Sequence, residues 1–410
     1  MVSGMFLKKI GTSIGNVLVN IIMIVDAFVW FSYGSTIIKE IISKVASNYE
    51  ILVFNIANFS TSMFSILIGA FLVDKYGKKL RFLLFWVLLG VFSSLSFILL
   101  EVTTVTSVLT ISFLFSISFG LGLPACLAYF ADHTIAENRA KIAGIIFFSM
   151  ILGSFMLRLM TITNIINSSL ILACLRGFTL IVFPFITSQE KKAEGKVSTP
   201  FFSILREHSF IFYLIPWTMF SLVNYLSIPI GVKIYGETFT SLSIIIGNVL
   251  AGVFAVIAGV LSDNIGRKRI VIIAFVMLGL AYSILGIYPL NIFSWYFYMM
   301  VDGAAWGIIY VIFLFTLWGD LAYGKPSEKY YALGILPYSL SGFLRVTVGS
   351  FIADVIPVYA IFSFAAFFLF LAVVPLMYAP ETLPEKKIRE RELKKYIEKA
   401  KKIKEKYVKE

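Results

Sequence analysis

The sequence predicts an all-α polytopic membrane protein, with twelve transmembrane helices arranged as two pseudo-symmetric six-helix bundles. Three observations carry this expectation. The composition is too apolar for a soluble core, apolar runs of spanning length recur along the chain, and one loop pattern appears twice, half a chain apart.

Of 410 residues, 59% are hydrophobic and 14% charged, with a mean hydropathy of +0.91. Soluble domains carry about 25% charged residues, so the bilayer must be the solvent. The formal charge of +12 does not mark a nucleic-acid binder, because it is not gathered into a basic patch. Twelve of the 35 Lys and Arg residues lie between Lys386 and Lys409, and most others occupy short links between apolar segments. Cys126 and Cys174 sit inside apolar runs, while His133 and His208 lie at helix ends or in loops. No disulfide, metal site or cofactor is expected from them.

The runs fall at 15–37, 50–73, 81–100, 105–130, 141–162, 167–187, 209–232, 241–262, 270–289, 292–318, 331–352 and 355–379. Each holds about 20 residues, which is what a hydrocarbon core of about 30 Å requires. The first follows Lys8 and Lys9 but is too long for a signal peptide and lacks a small-residue cleavage pattern. An inside N-terminus gives cytoplasmic links rich in Lys and Arg: Lys75, Lys78, Lys79 and Arg81, then Arg139 and Lys141, then Lys191, Lys192, Lys196 and Arg206. Arg267, Lys268 and Arg269 follow, with Lys325 and Lys329. The opposite links hold only Lys39, Lys44 and Lys233, so both termini are expected in the cytoplasm, in a cell-membrane protein.

The domains expected are an N-terminal bundle at 1–187, a cytoplasmic linker at 188–208, a C-terminal bundle at 209–379 and a charged tail at 380–410. In the tail, Leu393, Ile397, Ala400 and Tyr407 form an apolar stripe. It suits either a solvated helix or one resting on the anionic inner leaflet.

Between the second and third runs stand Asp74, Gly77, Lys78 and Lys79; between the eighth and ninth stand Gly259, Asp263, Gly266, Arg267 and Lys268. Both contain Asp-x-x-Gly-basic-basic. The Gly suits a left-handed helix exit, the Asp can accept from amides at a helix N-terminus, and the basic pair holds the loop inside. A second pair follows at nearly the same offset: Asp132, Arg139 and Gly144 against Asp320, Lys329 and Gly334. The chain therefore reads as a parallel repeat of two six-helix halves.

On these motifs the sequence resembles the major facilitator superfamily over essentially its whole length before the tail. The 259–268 copy matches the family's Gly-x-x-x-Asp-x-x-Gly-Arg-Lys signature in full; in the first copy Ala70 holds the leading Gly position and Lys78 replaces Arg. Asp132-x6-Arg139-x4-Gly144 and Pro380-Glu381-Thr382 are similar to motifs of the sugar and general-substrate subgroup. The resemblance implies two bundles rocking about a central cavity. It also implies that Asp74, Arg139, Asp263 and their basic neighbours form ion pairs favouring one orientation.

Ionisable groups inside the membrane cost about 2.5–3.5 kcal/mol or more and usually face a cavity. Five qualify: Asp26, Arg158, Arg176, Asp302 and Arg345. Helical spacing groups Asp26 with Trp30 and Tyr33, Asp302 with Trp306 and Tyr310, Trp217 with Ser221 and Asn224, and Arg345 with Tyr338 and Ser341. Asp26 has no partner visible in its own segment and is the expected proton-coupling group. Trp30, Arg158, Trp217, Asn224, Asp302, Trp306 and Arg345 are the expected solute contacts. Interfacial aromatic belts and internal ion pairs are the bland alternative for the same residues, and Arg176 is the least certain of the five charges.

These readings converge on secondary transport of a small polar solute, coupled to protons and working as a monomer in the bilayer. Two arginines at comparable places in the halves suit a small organic anion. A sugar is the alternative, although the only Gln, Gln189, lies in a loop. A polytopic enzyme is disfavoured by the lack of a His, Cys or carboxylate constellation, and a non-transporting sensor of the same fold stays open.

Overall fold

The structure, a computed structural model, describes residues 14–101, 104–159, 164–185 and 199–383. Most of the expected linker and the tail from residue 384 lie outside these.

Twelve helices account for the crossings: α1 (Ile14–Val45), α2 (Asn48–Tyr76), α3 (Lys79–Leu95), α4 (Val105–Asp132), α5 (Ala136–Leu159) and α6 (Ile165–Val182) in the first half. The second half holds α7 (His208–Val223), α8 (Ser227–Ile265), α9 (Arg267–Ile287), α10 (Ile292–Ile309), α11 (Glu328–Thr347) and α12 (Val358–Tyr378). There is no strand among the described residues.

Among the described residues, ten helical stretches qualify as crossings by length and composition. One of them, His208–Ile265, is 58 residues long and folds back at Gly236, whose φ of 83° breaks the helix, so it crosses twice. The other is α11, which is too polar to register because it opens on Glu328 and Lys329 and carries Arg345. Ten apolar stretches, one of them crossing twice, thus give eleven crossings, and α11 adds the twelfth. The break falls in the gap expected between the seventh and eighth runs, with 227–235 continuing the path of α7 before the chain returns.

Helix starts follow local chemistry. Ser47 and Glu50 form a reciprocal cap on α2, with Ser47 N donating to Glu50 Oε2 at 2.7 Å, and Thr104 and Ser107 do the same for α4. α10 runs on through a π-helical stretch, Tyr310–Thr316, into Leu317–Leu321. The wider turn frees carbonyls that side chains then satisfy: Thr316 Oγ1 donates to Val311 O, Trp318 Nε1 to Phe313 O and Tyr331 Oη to Phe315 O.

Within the first half α2 packs on α4, α3 on α6, and α1 on α4, α5 and α6. In the second half α8 packs on α10, α9 on α12, and α7 on α11 and α12. The halves meet along α5 against α8 and α2 against α11. The first seam is close because it is lined by glycine. A Cβ at Gly144 would lie 2.4 Å from Ala255 O, and one at Gly259 would lie 2.4 Å from Ala140 O. Outer faces carry large apolar side chains such as Phe64, Phe71, Phe92, Phe364 and Phe367, as lipid contact requires, and the charges turn inward.

Candidate functional site

The loops after α2, α4, α8 and α10 gather at one end of the molecule, termed the basic face. There the duplicated motifs form one interlocked set of charges. Arg139 pairs with Asp320 across the two halves, and Asp320 also takes Arg267 Nε at 2.9 Å. Arg267 in turn holds Asp263 at 3.0 Å. Asp263 reaches back into the first half, where its carboxylate accepts from Lys141 N at 2.9 Å and Ala140 N at 3.3 Å near the positive end of α5. On the other seam Asp74 pairs with Lys329 at 2.6 Å, and Lys79 bridges Asp132 at 2.5 Å and Glu328 at 2.7 Å. Arg139, Arg267, Asp263, Asp320 and Lys329 are all buried, so each depends on its partners to offset lost hydration, and removing one partner would leave a buried charge uncompensated.

The expected Asp and Arg positions thus come together, with one shift. Lys78 is exposed at the start of α3, and its neighbour Lys79 makes the ion pairs. The reason is helix phasing. α9 begins directly after Gly266 and points Arg267 inward, whereas α3 begins two residues after Gly77 and points Lys79 inward. Both glycines have positive φ, 64° and 104°, which only glycine adopts at little cost.

The closing Pro-Glu-Thr joins the same cluster. Glu381 accepts from Arg267 N at 2.9 Å and Lys268 N at 3.2 Å, capping α9, and Thr382 Oγ1 donates to Asp320 at 3.4 Å.

Inside the membrane the picture differs from expectation at several positions. Asp26 is not alone. Arg176 Nη1 lies 2.8 Å from its carboxylate and Thr179 Oγ1 donates at 2.6 Å, both from α6. The Arg176 guanidinium lies over Trp86 at 4.1 Å and Trp30 at 5.3 Å. Arg176 is therefore a structural hub of the first bundle. The signal that could have found it is charge balance, since one acid and one base in neighbouring segments each need a partner.

Trp30 is fully buried and donates to Ser94 Oγ at 2.7 Å; Trp217 is fully buried, donates to Gly334 O at 2.8 Å and stacks on Phe313. Both indoles are buried and hydrogen-bonded inside their own bundles. Asn224 is buried and accepts from Ser341 Oγ at 2.5 Å.

Asp302 and Trp306 are partly buried. The Asp302 carboxylate accepts from Tyr298 Oη at 3.1 Å and from the Trp306 indole, and no ion pair reaches it among the described residues. Trp306 and Tyr310 pack at 4.7 Å, Tyr310 meets Tyr338 at 5.5 Å, and Phe147 of α5 closes on Tyr310 at 4.6 Å across the halves. Arg345 and Arg158 are exposed and have no hydrogen bond or ion pair among the described residues. Arg345 is near enough to Lys39 of α1 to repel it and to Tyr310 to attract its ionised form. The structure does not pair Arg345 with Asp302.

Residues 17–325 match the Major Facilitator Superfamily profile. The chain belongs to that superfamily. It is a transporter by family and fold, not an enzyme. The proton:xylose symporter XylE, solved with 6-bromo-6-deoxy-D-glucose, superposes with a TM-score of 0.65 at 15% identity, covering 90% of this chain and 96% of XylE. A double-Trp variant of XylE gives 0.71 at 15% identity over 92% and 98%. The human organic anion transporter MFSD10 (TETRAN) gives 0.63 at 16% identity over 88% and 98%. At these identities the likeness establishes the superfamily fold and leaves the solute to the site itself. No curated protein sequence matches the chain.

Proposed function

We propose that this superfamily member is a secondary transporter that moves a small organic anion by alternating access, driven by protons, with the basic face and both termini in the cytoplasm. The observation that carries the reading is the placement of the two kinds of charge. Paired ions that cross between the halves gather at the basic face, where they fasten the bundles. Unpaired Arg345 and Arg158 stand toward the opposite end of α11 and α5, exposed and without counter-ions among the described residues. An exposed guanidinium beside Lys39 is an anion-accepting arrangement. A sugar is less well served, because the ring-stacking indoles Trp30 and Trp217 are consumed within the bundles.

The test is uptake into proteoliposomes of labelled carboxylates and sugars under an imposed pH gradient. The expected result is carboxylate accumulation, with Arg345→Gln weakening half-saturation roughly 10- to 100-fold by removing a contact worth about 1.5–3 kcal/mol. Sugar accumulation indifferent to Arg345→Gln would replace the anion reading with the sugar one.

A further inference from the structure

The two intramembrane carboxylates stand in opposite circumstances, and the contrast decides which of them exchanges a proton. Asp26 has a guanidinium at 2.8 Å and a hydroxyl at 2.6 Å, and the guanidinium is pressed against two indoles. Protonating Asp26 would strand a buried positive charge, a penalty of the kind that makes half-broken buried pairs unfavourable. Asp302 has only neutral donors. An ionised carboxylate there is an uncompensated charge at membrane depth, and taking up a proton removes it without orphaning any cation.

The surroundings of Asp302 accommodate both forms. Tyr298 Oη lies 3.1 Å from Asp302 Oδ1 and 3.1 Å from Tyr282 Oη, and the Ser227 hydroxyl is in hydrogen-bond reach of both phenols. Each hydroxyl has one proton to give, so the chain has two complete polarities. With Asp302 ionised, Ser227 donates to Tyr282, Tyr282 to Tyr298 and Tyr298 to the carboxylate. With Asp302 protonated, the acid donates to Tyr298, Tyr298 to Tyr282 and Tyr282 to Ser227. The carboxyl group and both phenols keep a partner in either polarity, and no heavy atom has to move.

Among the described residues, Tyr310 on α10 and Tyr338 and Arg345 on α11 are further polar groups along this stretch; Arg345 acts on Tyr310 and is not among the groups that act on Asp302. We propose that Asp302, and not Asp26, is the group that carries the coupling proton, with Tyr298, Tyr282 and Ser227 as a reversible hydrogen-bond chain that stabilises either form. The proton enters from solution on one side as Asp302 becomes a neutral acid and leaves to solution on the other as the carboxylate returns. This rests on the transport reading above, and it places the proton beside the aromatic cluster of Trp306, Tyr310 and Tyr338, whose Tyr310 lies within reach of the Arg345 charge.

The test reads the carboxyl group directly, so it needs no solute and is separable from the flux assay. Infrared spectra of the reconstituted protein are recorded as pH is varied, for the native chain, Asp302→Asn, Asp302→Glu, Asp26→Asn and Tyr298→Phe. A carboxylic-acid band that comes and goes as the pH is varied is expected in the native protein and in Asp26→Asn, and is expected to vanish in Asp302→Asn. Asp302→Glu should restore a titrating band with a displaced midpoint. Tyr298→Phe should raise the midpoint, because it removes a donor to the ionised form. A titrating band that survives in Asp302→Asn, or one that is lost in Asp26→Asn, overturns the proposal. So does a native acid band that never titrates, which would make Asp302 a permanently neutral structural group. If Asp302→Asn does not insert, an unmoved midpoint in Tyr298→Phe overturns it equally.

Discussion

Asp26 and Arg176 lie 150 residues apart in sequence and 2.8 Å apart in space. Removing one partner should be far worse than removing both. Arg176→Met leaves a buried carboxylate with one hydroxyl donor and should cost about 3–5 kcal/mol, whereas Asp26→Leu combined with Arg176→Met should regain most of that. Thermal unfolding of the detergent-solubilised protein measures both, and equal losses in the single and double variants would show that the pair is not energetically coupled. The sequence identified every intramembrane charge but could not say which were paired. Helical spacing reveals companions three or four residues away on the same face, and Trp30 and Tyr33 were legible beside Asp26 on that basis. The partners that decide the chemistry come from other helices. Arg176 and Thr179 on α6 neutralise Asp26, while Tyr282 on α9 extends the chain at Asp302. Trp30 and Trp217 illustrate the same limit, since a face shared with a polar residue can turn toward the bundle core as readily as toward a cavity.

At the level of helices the repeat was the strongest signal, and it located the seams. Gly144 and Gly259 occupy facing positions where α5 and α8 touch backbone to backbone. Gly259→Val would drive a side chain into Ala140 O and part the two helices near the amides that Asp263 holds. The expected outcome is a protein that inserts but occupies the fastened state less. Faster labelling of single cysteines introduced along the inner half of α5 would report it, and unchanged labelling would show that the seam tolerates the bulk. The break at Gly236 falls in the link that the sequence leaves between its seventh and eighth runs. One feature of the helices was not legible. The π-helical turn in α10 has no periodic signature over seven residues, yet it sets the phase between Asp302 above and Asp320 below. The slip from Lys78 to Lys79 has a similar origin, because one residue of difference in where a helix starts exchanges an inward side chain for an outward one.

For the whole molecule the proposed transport cycle turns on the balance between bundles joined and bundles apart at the basic face. Asp74→Lys should release that face through loss of Lys329 and repulsion from it, and Asp74→Lys with Lys329→Asp should rebuild the contact with its charges reversed. Distance measurements between spin labels on α2 and α11 would follow this. A double variant as separated as the single one would reduce the pair to a topological marker. Asp320→Asn should open the face further than Asp74→Asn, since it removes the acid that two arginines share. That sharing has a mechanical meaning. In the proposed alternating-access cycle, Asp320 leaves Arg139 but keeps Arg267, and Arg139 keeps the carbonyls of Ala131 and Thr134 and the Thr134 hydroxyl. Neither ion is stripped bare at the moment of parting. The contact behaves as a clasp whose two halves are each already held from behind, which can undo and refasten at every cycle without either side having to be reassembled.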